Sequence, residues 1–570
     1  MNDTSLTKTA NDRLLQDLRG IVGAHHVLTG DTRTKRFRKG FRSGFGAALA
    51  VIQPGTLLEQ WYVLKACVAA DKIVIMQAAN TGLTGGSTPD GTYDRDVVLI
   101  STKRLSMLHL IKGGAQSIGF PGTTLYTLEK ALSPLNRQPH SVIGSSCIGA
   151  SVIGGICNNS GGSLVERGPA YTEMSIFAQV SETGTLELVN HLGISLGTTP
   201  EQILTRLQAG DYTEHDIQDT NAKASDTGYA TRVRDVEAAT PARFNADKHR
   251  LHEASGCAGK LAVFAVRLDT YPNPEAETTF YIGARDPAAL TQLRREILTD
   301  FETLPVSAEY LHADYYDLIR KYGKDSVVMI DKLGTDWLPR FFALKGAIDA
   351  RLERVPFLRH ATDHFMQALA AVWPTIVPKR MDDIRAQFDH HLILKVRDSG
   401  IEEARAALSK LRATRTLDFF ECTAREAKIA ALYRFAAGAA SVRFRTIHAK
   451  DVEDILALDI ALRRNDEDWF ETLPKQITDQ IVHALYCGHF LCHVMHQDYI
   501  VKAGVDVEAL KTQMLEILDK RGAEYPAEHN VGHQYLAKPD LAAFYRKIDP
   551  TNTLNPGLGK MSKRKHYAES

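Results

Sequence analysis

Proton-transfer chemistry is suggested by a group of histidines and one acid near the C-terminus. Gly488-His489 is followed after six residues by His496-Gln-Asp-Tyr499, and about thirty residues later comes Glu528-His529-Asn-Val-Gly-His533. Histidine is the side chain whose ordinary pKa lies near neutrality, so it fits a proton-accepting base, and His489, His496, Glu528 and His529 are the candidate residues. A core ring held by a backbone carbonyl explains most single histidines. That is the reading of His483 and His493, whereas the grouped residues point to a site.

Such a site must be positioned by folded elements. Strand-like runs at Ala48–Ile52, Ile73–Met76 and Val97–Ser101 alternate with a helical stretch at Leu57–Ala70, which predicts an α/β unit. Two glycine-rich loops interrupt it. In Gln77-Ala-Ala-Asn-Thr-Gly-Leu-Thr-Gly-Gly-Ser-Thr88, Gly82, Gly85 and Gly86 let backbone N–H groups converge on an anion such as pyrophosphate, a structural turn being the alternative. The loop matches neither the dinucleotide fingerprint G-x-G-x-x-G nor the P-loop. The second, Gly144–Ser163, holds six glycines and five serines in twenty residues, so its backbone must pass very near a ligand or another segment. Val263–Asp269 reads as a strand, Asn273–Leu304 as strand then helix opening a second α/β unit, and the boundary falls near residue 269. Further on, His390–Val396 reads as a strand, with helices at Ile401–Arg412 and Val452–Arg464.

A chain of 570 residues with 44% hydrophobic content has room for two or more cores. Equal numbers of basic and acidic residues, 68 each, exclude a whole-chain electrostatic partner such as nucleic acid. The seven cysteines are scattered and form no CxxC pair, so reduced thiols are expected. Met1–Gly20 lacks an apolar core segment, and no run reaches the ~20 apolar residues of a spanning helix, so neither signal peptide nor transmembrane segment is expected. From Trp337 to Arg380, aromatics (Trp337, Phe341, Phe342, Phe357, Phe365, Trp373) interleave with seven basic residues against three acidic ones. This composition suits an interfacial segment on an anionic lipid surface, or else an ordinary domain surface.

Gln53-Pro-Gly-Thr56, the first glycine loop, Val97–Arg104, Phe120-Pro-Gly-Thr-Thr-Leu125 and the Gly/Ser loop together resemble the FAD-linked oxidases of the vanillyl-alcohol oxidase type. The resemblance implies an α+β fold with a two-part FAD-binding domain and an α/β cap. It places Ala78, Ala79, Asn80, Thr81, Gly82, Gly86 and Ser87 at the pyrophosphate, and Gly144, Ser151, Gly161 and Val263 around the ribityl chain and flavin ring. No His or Cys lies between Gln77 and Thr88, so it implies non-covalent FAD.

The C-terminal group, closed by Asp549-Pro-Thr-Asn-Thr-Leu-Asn-Pro-Gly557, is similar to FAD-linked 2-hydroxy-acid dehydrogenases. In those relatives the two spaced histidines and the Glu can hold a divalent metal, which implies that role for His489, His496 and Glu528, with His529 as base. Two departures, Phe490–Met495 between the histidines and Asn530 in place of a common glycine, leave direct substrate contact by the histidines equally open. Hydride leaves C2 of a hydroxy acid for flavin N5 as the hydroxyl loses its proton, which needs such a base. The substrate carboxylate needs a cation, for which Arg380, Arg385 and Lys395 are candidates or surface charges.

Over nearly the whole chain the pattern resembles the bacterial quinone-dependent respiratory D-lactate dehydrogenases. This implies D-lactate as substrate, membrane quinone as acceptor, and peripheral attachment to anionic phospholipid on the cytoplasmic face of the inner membrane. Another 2-hydroxy acid (2-hydroxyglutarate or glycolate) or a non-catalytic flavoprotein are the alternatives. The implied division is 1–268 for the N-terminal part of the FAD-binding domain, 269–310 for the first part of the cap and 311–387 for a helical, basic membrane-associating insertion. Residues 388–520 form the rest of the cap, with a small further membrane-facing segment, and 521–570 the C-terminal part of the FAD-binding domain.

Overall fold

The computed structural model describes residues 3–141, 148–333, 348 and 361–569. Four strands, β1 (Val27–Leu28), β2 (Ala50–Ile52), β3 (Ile73–Gln77) and β4 (Val97–Ser101), form a sheet in the order β1-β2-β4-β3. β2 and β3 run parallel to β4, and every residue of Val97-Val-Leu-Ile-Ser101 is buried, as parallel strands covered on both faces require. The crossover helix Leu57–Ala69 starts where the Thr56 side chain accepts from Glu59 N at 3.0 Å, and it buries Leu57, Trp61 and Leu64 in the core beside the sheet.

A second, antiparallel sheet follows, built from β5 (Leu108–Ile111), β6 (Gln116–Gly119), β8 (Ser175–Val180), β9 (Leu186–Asn190) and β10 (Ala262–Asp269) in the order β5-β6-β10-β8-β9. The short β7 (Arg137–Gln138) pairs with β11 (Tyr271–Pro272) beside it.

The third sheet takes β12 (Glu277–Ala284), β13 (Ser307–His312), β14 (His390–Arg397), β15 (Leu417–Glu421), β16 (Val452–Ala461), β17 (Ile481–His489) and β18 (Val494–Lys502), ordered β15-β12-β14-β13-β17-β18-β16. All its pairings are antiparallel. One face buries Leu290, Leu293, Leu408, Leu458 and Met514 with helices Pro287–Asp300, Gly400–Ala413 and Val507–Lys520. The other packs Tyr281, Leu311, Ile429, Tyr433 and Ile500 with helices Ala313–Leu318 and Ala424–Ile447.

The helix expected over Val452–Arg464 is instead the edge strand β16. Its apolar residues satisfy both periods, and pairing with β18 from Val452 to Ala461 decides for the strand, with Leu456, Leu458 and Ile460 in the core on one face. Gly144 and most of the basic-aromatic segment, 334–347 and 349–360, lie outside the described residues.

The C-terminal segment returns to the first sheet. Val74 N donates to Thr553 O at 3.0 Å and Asn555 N to Val74 O at 2.9 Å. Asn555 Nδ2 donates to Gly86 O and Ala258 O at 2.7 and 2.8 Å, and buried Asp549 accepts from Thr553 N and Leu554 N, each at 3.0 Å. Lys260 Nζ lies 3.3 Å from Asp549 and donates to Asn552 Oδ1 at 2.6 Å. The closing motif is therefore a clamp that fixes the C-terminal segment against the first glycine loop.

Candidate active site

Four adjacent strands of the third sheet carry one row of ionisable side chains. Glu309 of β13 is the register partner of His489, the last residue of β17; His496 of β18 is the register partner of Asp459 of β16. Period-two alternation puts all four on one sheet face, and the two imidazoles stand 5.0 Å apart between centroids. Glu309 Oε1 lies 2.6 Å from His489 Nδ1, and Asp459 Oδ1 lies 3.3 Å from His496 Nδ1. The two Nε2 atoms then converge on Glu528 Oε2, at 3.3 and 3.6 Å.

Glu528 is itself braced. Its backbone N donates to Asp459 Oδ2 at 2.6 Å, and its Oε1 accepts from Arg243 Nη2 at 2.7 Å and from Gly162 N at 3.0 Å. A second guanidinium, Arg434 on helix Ala424–Ile447, puts Nε 2.9 Å from Glu309 Oε2. His529 places Nε2 3.8 Å from Asp459 Oδ2, and its side chain is 35% exposed against 12% for His489, the most accessible of the group.

The charges are strongly coupled. Burial pulls the His489 pKa down, but Glu309 and Glu528 outweigh it and raise it to about 10. Burial pushes the Glu528 carboxyl up, yet His489 and Arg243 hold it well below the usual carboxylate range. Asp459 is lowered likewise, His529 and His496 overcoming burial.

The donor set fits a divalent cation. Ligand atoms of His489, His496 and Glu528 all lie within 4.8 Å of one another, and both imidazoles present Nε2 because a carboxylate occupies the Nδ1 side. This back-to-front bracing is what metal-binding histidines need to keep tautomer and orientation.

The glycine-rich loops meet one another and this group. An ideal Cβ on Gly149 falls 4.0 Å from the Ala79 Cβ, so the two loops face each other. Ala78, Ala79, Asn80, Thr81 and Ser87 are half-buried in the loop after β3, and Gly82 is exposed with open space around its missing side chain. Asn80 takes φ +57°, held by its Nδ2 donating to Lys39 O at 2.9 Å and by Ser87 Oγ donating to its Oδ1 at 3.0 Å. Ser151 caps helix Val152–Cys157 by accepting from Gly154 N at 3.0 Å, and Val263 is buried in β10.

Gly86 and Gly161 stand apart from these, because the structure sets them against the acid-base segment. A Cβ on Gly86 would meet Asn530 Nδ2 at 2.6 Å, and one on Gly161 would meet Glu528 Oε1 at 2.1 Å. Ser101 Oγ at the end of β4, both ring nitrogens of His140, and Asn159 Oδ1 are buried without hydrogen-bond partners among the described residues. Burial pushes the His140 pKa down to about 4. These orphaned groups border the loops and suit a large polar cofactor lying between them.

The three carboxylate-binding candidates lie elsewhere. Arg380 pairs with Glu426 and stacks on Phe420, Arg385 pairs with Asp317 at 2.8 Å, and Lys395 with Glu277 at 2.7 Å. The cations of the site are Arg243 and Arg434. Sequence reasoning also missed Glu309 and Asp459; an acid inside the apolar run Ile455-Leu-Ala-Leu-Asp-Ile-Ala461 was the one available signal. His493 is the core histidine expected, its Nδ1 3.0 Å from Arg463 O, and His533 is held between Gly557 O and Thr88 O.

Over 568 residues the chain is 60% identical to the quinone-dependent D-lactate dehydrogenase of Escherichia coli (strain K12), covering 99% of this chain and 100% of that protein. The chain belongs to this family. The Haemophilus influenzae member is 54% identical over 98% of this chain and 99% of its own length. The family described as "D-lactate dehydrogenase, membrane binding" matches residues 279–567. Among solved structures, alkyldihydroxyacetonephosphate synthase aligns with TM-score 0.59 at 13% identity, covering 95% of this chain and 86% of that one. Substrate-bound p-cresol methylhydroxylase aligns with TM-score 0.57 at 12% identity, covering 97% of each. These likenesses establish the fold, the vanillyl-alcohol oxidase type that the glycine loops resembled. No helix among the described residues is long and apolar enough to cross a membrane.

Proposed function

We propose that the protein oxidises D-lactate to pyruvate at the Glu309-His489-His496-Asp459 row and delivers the electrons to a membrane quinone from the cytoplasmic face of the inner membrane. The observation that carries the reading is the bond from Gly162 N to Glu528 Oε1 at 3.0 Å, which ties the acid-base group directly to the second glycine loop. The two glycine loops would hold FAD non-covalently, and the cofactor would supply the N5 acceptor for the C2 hydride. His529, the most exposed imidazole of the group, takes the C2 hydroxyl proton, and Asp459 opposite it stabilises the imidazolium that results. Arg243 is occupied by Glu528 and by the carbonyls of Gly162 and Leu164, whereas Arg434 faces Glu309 through Nε alone, so its Nη groups hold the substrate carboxylate. His489, His496 and Glu528 would hold a divalent cation whose Lewis acidity favours the alkoxide.

The test is an anaerobic absorbance spectrum before and after adding D-lactate and then L-lactate. Bleaching of a flavin band by the D isomer only is expected. Persistence of the band with both isomers, followed by bleaching with D-2-hydroxyglutarate or glycolate, would transfer the same chemistry to another substrate.

A further inference from the structure

We propose that the loop Lys39–Phe45, on the FAD-binding side of the molecule, is part of the membrane-docking surface, which thus extends beyond the cap and its insertion. This rests on the membrane reading above. The stretch Thr32-Arg-Thr-Lys-Arg-Phe-Arg-Lys-Gly-Phe-Arg-Ser-Gly-Phe45 holds six basic residues, three phenylalanines and no acid, the same pairing of cation and aromatic that marks Trp337–Arg380.

Folding uses part of this set and leaves the rest outward. Arg38 is buried, donating to Gly46 O at 2.9 Å and stacking over Phe45 at 5.1 Å, and Phe37 is buried beside it. The loop is tight. Lys39 bridges to Phe45, Gly40 N donates to Gly44 O at 2.9 Å, and Gly44 takes φ +90° where its backbone meets Gly85. Its aromatic side chains remain in solvent, Phe41 58% and Phe45 53% exposed, with Lys35, Arg36 and Lys39 exposed around them. Two exposed phenylalanines on a rigid, basic loop call for a cover.

What lies beside the loop identifies that cover. Arg42 Nη2 is 3.9 Å from the Cβ position of Gly438, so the loop abuts helix Ala424–Ile447. Phe435, Gly438 and Val442 share one face of that helix at i, i+3, i+7, and Phe435 and Val442 are 42% and 46% exposed. On the flank away from Arg42, Arg443 Nε reaches Asp363 at 3.0 Å on helix Ala361–Val372, where Phe365 and Val372 are 69% and 78% exposed. Loop, long helix and insertion helix thus stand side by side, each with uncovered apolar side chains.

The two helices lie inside the 279–567 match to the membrane-binding family, so the loop continues that surface onto a different domain. An anionic bilayer meets both needs, headgroup phosphates for the cations and the acyl boundary for the rings. Arg434, which reaches Glu309, directly precedes Phe435. A membrane resting on this surface therefore lies over the approach to the active site.

The experiment floats the full-length, FAD-containing enzyme with phosphatidylglycerol–phosphatidylcholine vesicles. The unaltered chain should float, and the variants F41S/F45S and K35E/R36E/K39E should each lower partitioning by about tenfold or more. As a probe that keeps an aromatic ring in the loop, F41W should add emission that vesicles with brominated acyl chains quench. Flotation by all variants equal to that of the unaltered chain, with no added quenching, would confine docking to the cap side and overturn the proposal. Failure of the unaltered chain itself to float would instead refute the membrane reading on which it stands.

Discussion

Gly161→Ala isolates the placement of Glu528 from everything else in the site. A Cβ at this position falls 2.1 Å from Glu528 Oε1, 2.6 Å from Cδ and 2.9 Å from Cγ, whereas ordinary contact begins near 3.4 Å. The carboxylate must retreat by roughly 1 Å, and it has no slack. It is buried, its Oε1 is held by Arg243 at 2.7 Å and Gly162 N at 3.0 Å, and its backbone N is held by Asp459 at 2.6 Å. Misplacing a positioned group by about 1 Å costs on the order of 100-fold in rate. Each strained charge-assisted bond adds about 1.5–3 kcal/mol of lost stabilisation.

Stopped-flow mixing with D-lactate under anaerobic conditions reads flavin reduction directly, and the visible spectrum of the purified variant reads cofactor retention. The expected result is a fully loaded flavin reduced about 100-fold more slowly. An unchanged reduction rate would show that the position of Glu528 is not needed. Loss of flavin would show that Gly161 faces the cofactor, as the family resemblance places it, and the argument from the close approach would fail.

Replacing His529 by Ala should leave FAD bound and slow reduction by D-lactate by about 10²–10⁴-fold, the usual weight of a general base; a change under threefold in stopped-flow would remove it from that role. Asp459→Asn removes the charge behind both His496 and His529 while keeping the shape, so metal content at limiting metal should fall about 10–100-fold by elemental analysis. Asn555→Ala removes two buried bonds of the clamp, to Gly86 O and Ala258 O, and about 2–3 kcal/mol of stability in urea titration is the expected cost.

The third sheet should also respond to acid. Burial, then Arg385 and His312, push the His391 pKa from 6.5 to about 3, and burial with His312 pushes His390 to about 4. The unfolded chain therefore binds more protons below pH 6.5, so stability present above that pH is lost as the pH falls toward 3. At about 1.4 kcal/mol per pH unit the losses are roughly 5 and 3 kcal/mol. Thermal midpoints between pH 7 and 5 should fall less steeply in His391→Gln, and parallel slopes would contradict the assignment.

The elements were legible wherever local pattern and tertiary demand agreed. The buried runs Ile73–Gln77 and Val97–Ser101 read as strands because a covered parallel sheet admits little else, and the crossover helix announced itself by its apolar spacing. Val452–Ala461 misled because its apolar positions fit both periods, and the pairing with β18 that settles the matter is invisible locally. The same blindness hid half of the site. His489, His496 and Glu528 share recognisable spacing, but Glu309 and Asp459 enter through strand register, and Arg243 and Arg434 through the packing of separate elements. Conversely, Arg380, Arg385 and Lys395 looked suitable only because sequence cannot show that each pairs with an acid away from the histidine row.

The departures at Phe490–Met495 and Asn530 left two roles open for His489 and His496, and both are compatible with the bracing. Of the residues between the histidines, Phe490–His493 form the turn joining β17 to β18 and Val494 and Met495 open β18, and none belongs to the donor set. Asn530 accepts from Thr84 Oγ1 at 3.2 Å and packs against Gly86, so it joins the acid-base segment to the first glycine loop. Neither departure touches the histidine Nε2 atoms. Around them stand three buried carboxylates, Glu309, Asp459 and Glu528, against two guanidiniums, Arg243 and Arg434. The remaining negative charge has to be met at the Nε2 edge, either by a proton, as the raised His489 pKa expresses, or by a divalent cation. The two cases differ in one measurement. Under the metal reading, treatment with a chelator slows reduction by D-lactate, and Zn²⁺ or Mn²⁺ restores it. Under direct contact, the chelator changes nothing, and His489→Gln raises the lactate concentration needed for half-maximal reduction without altering metal content.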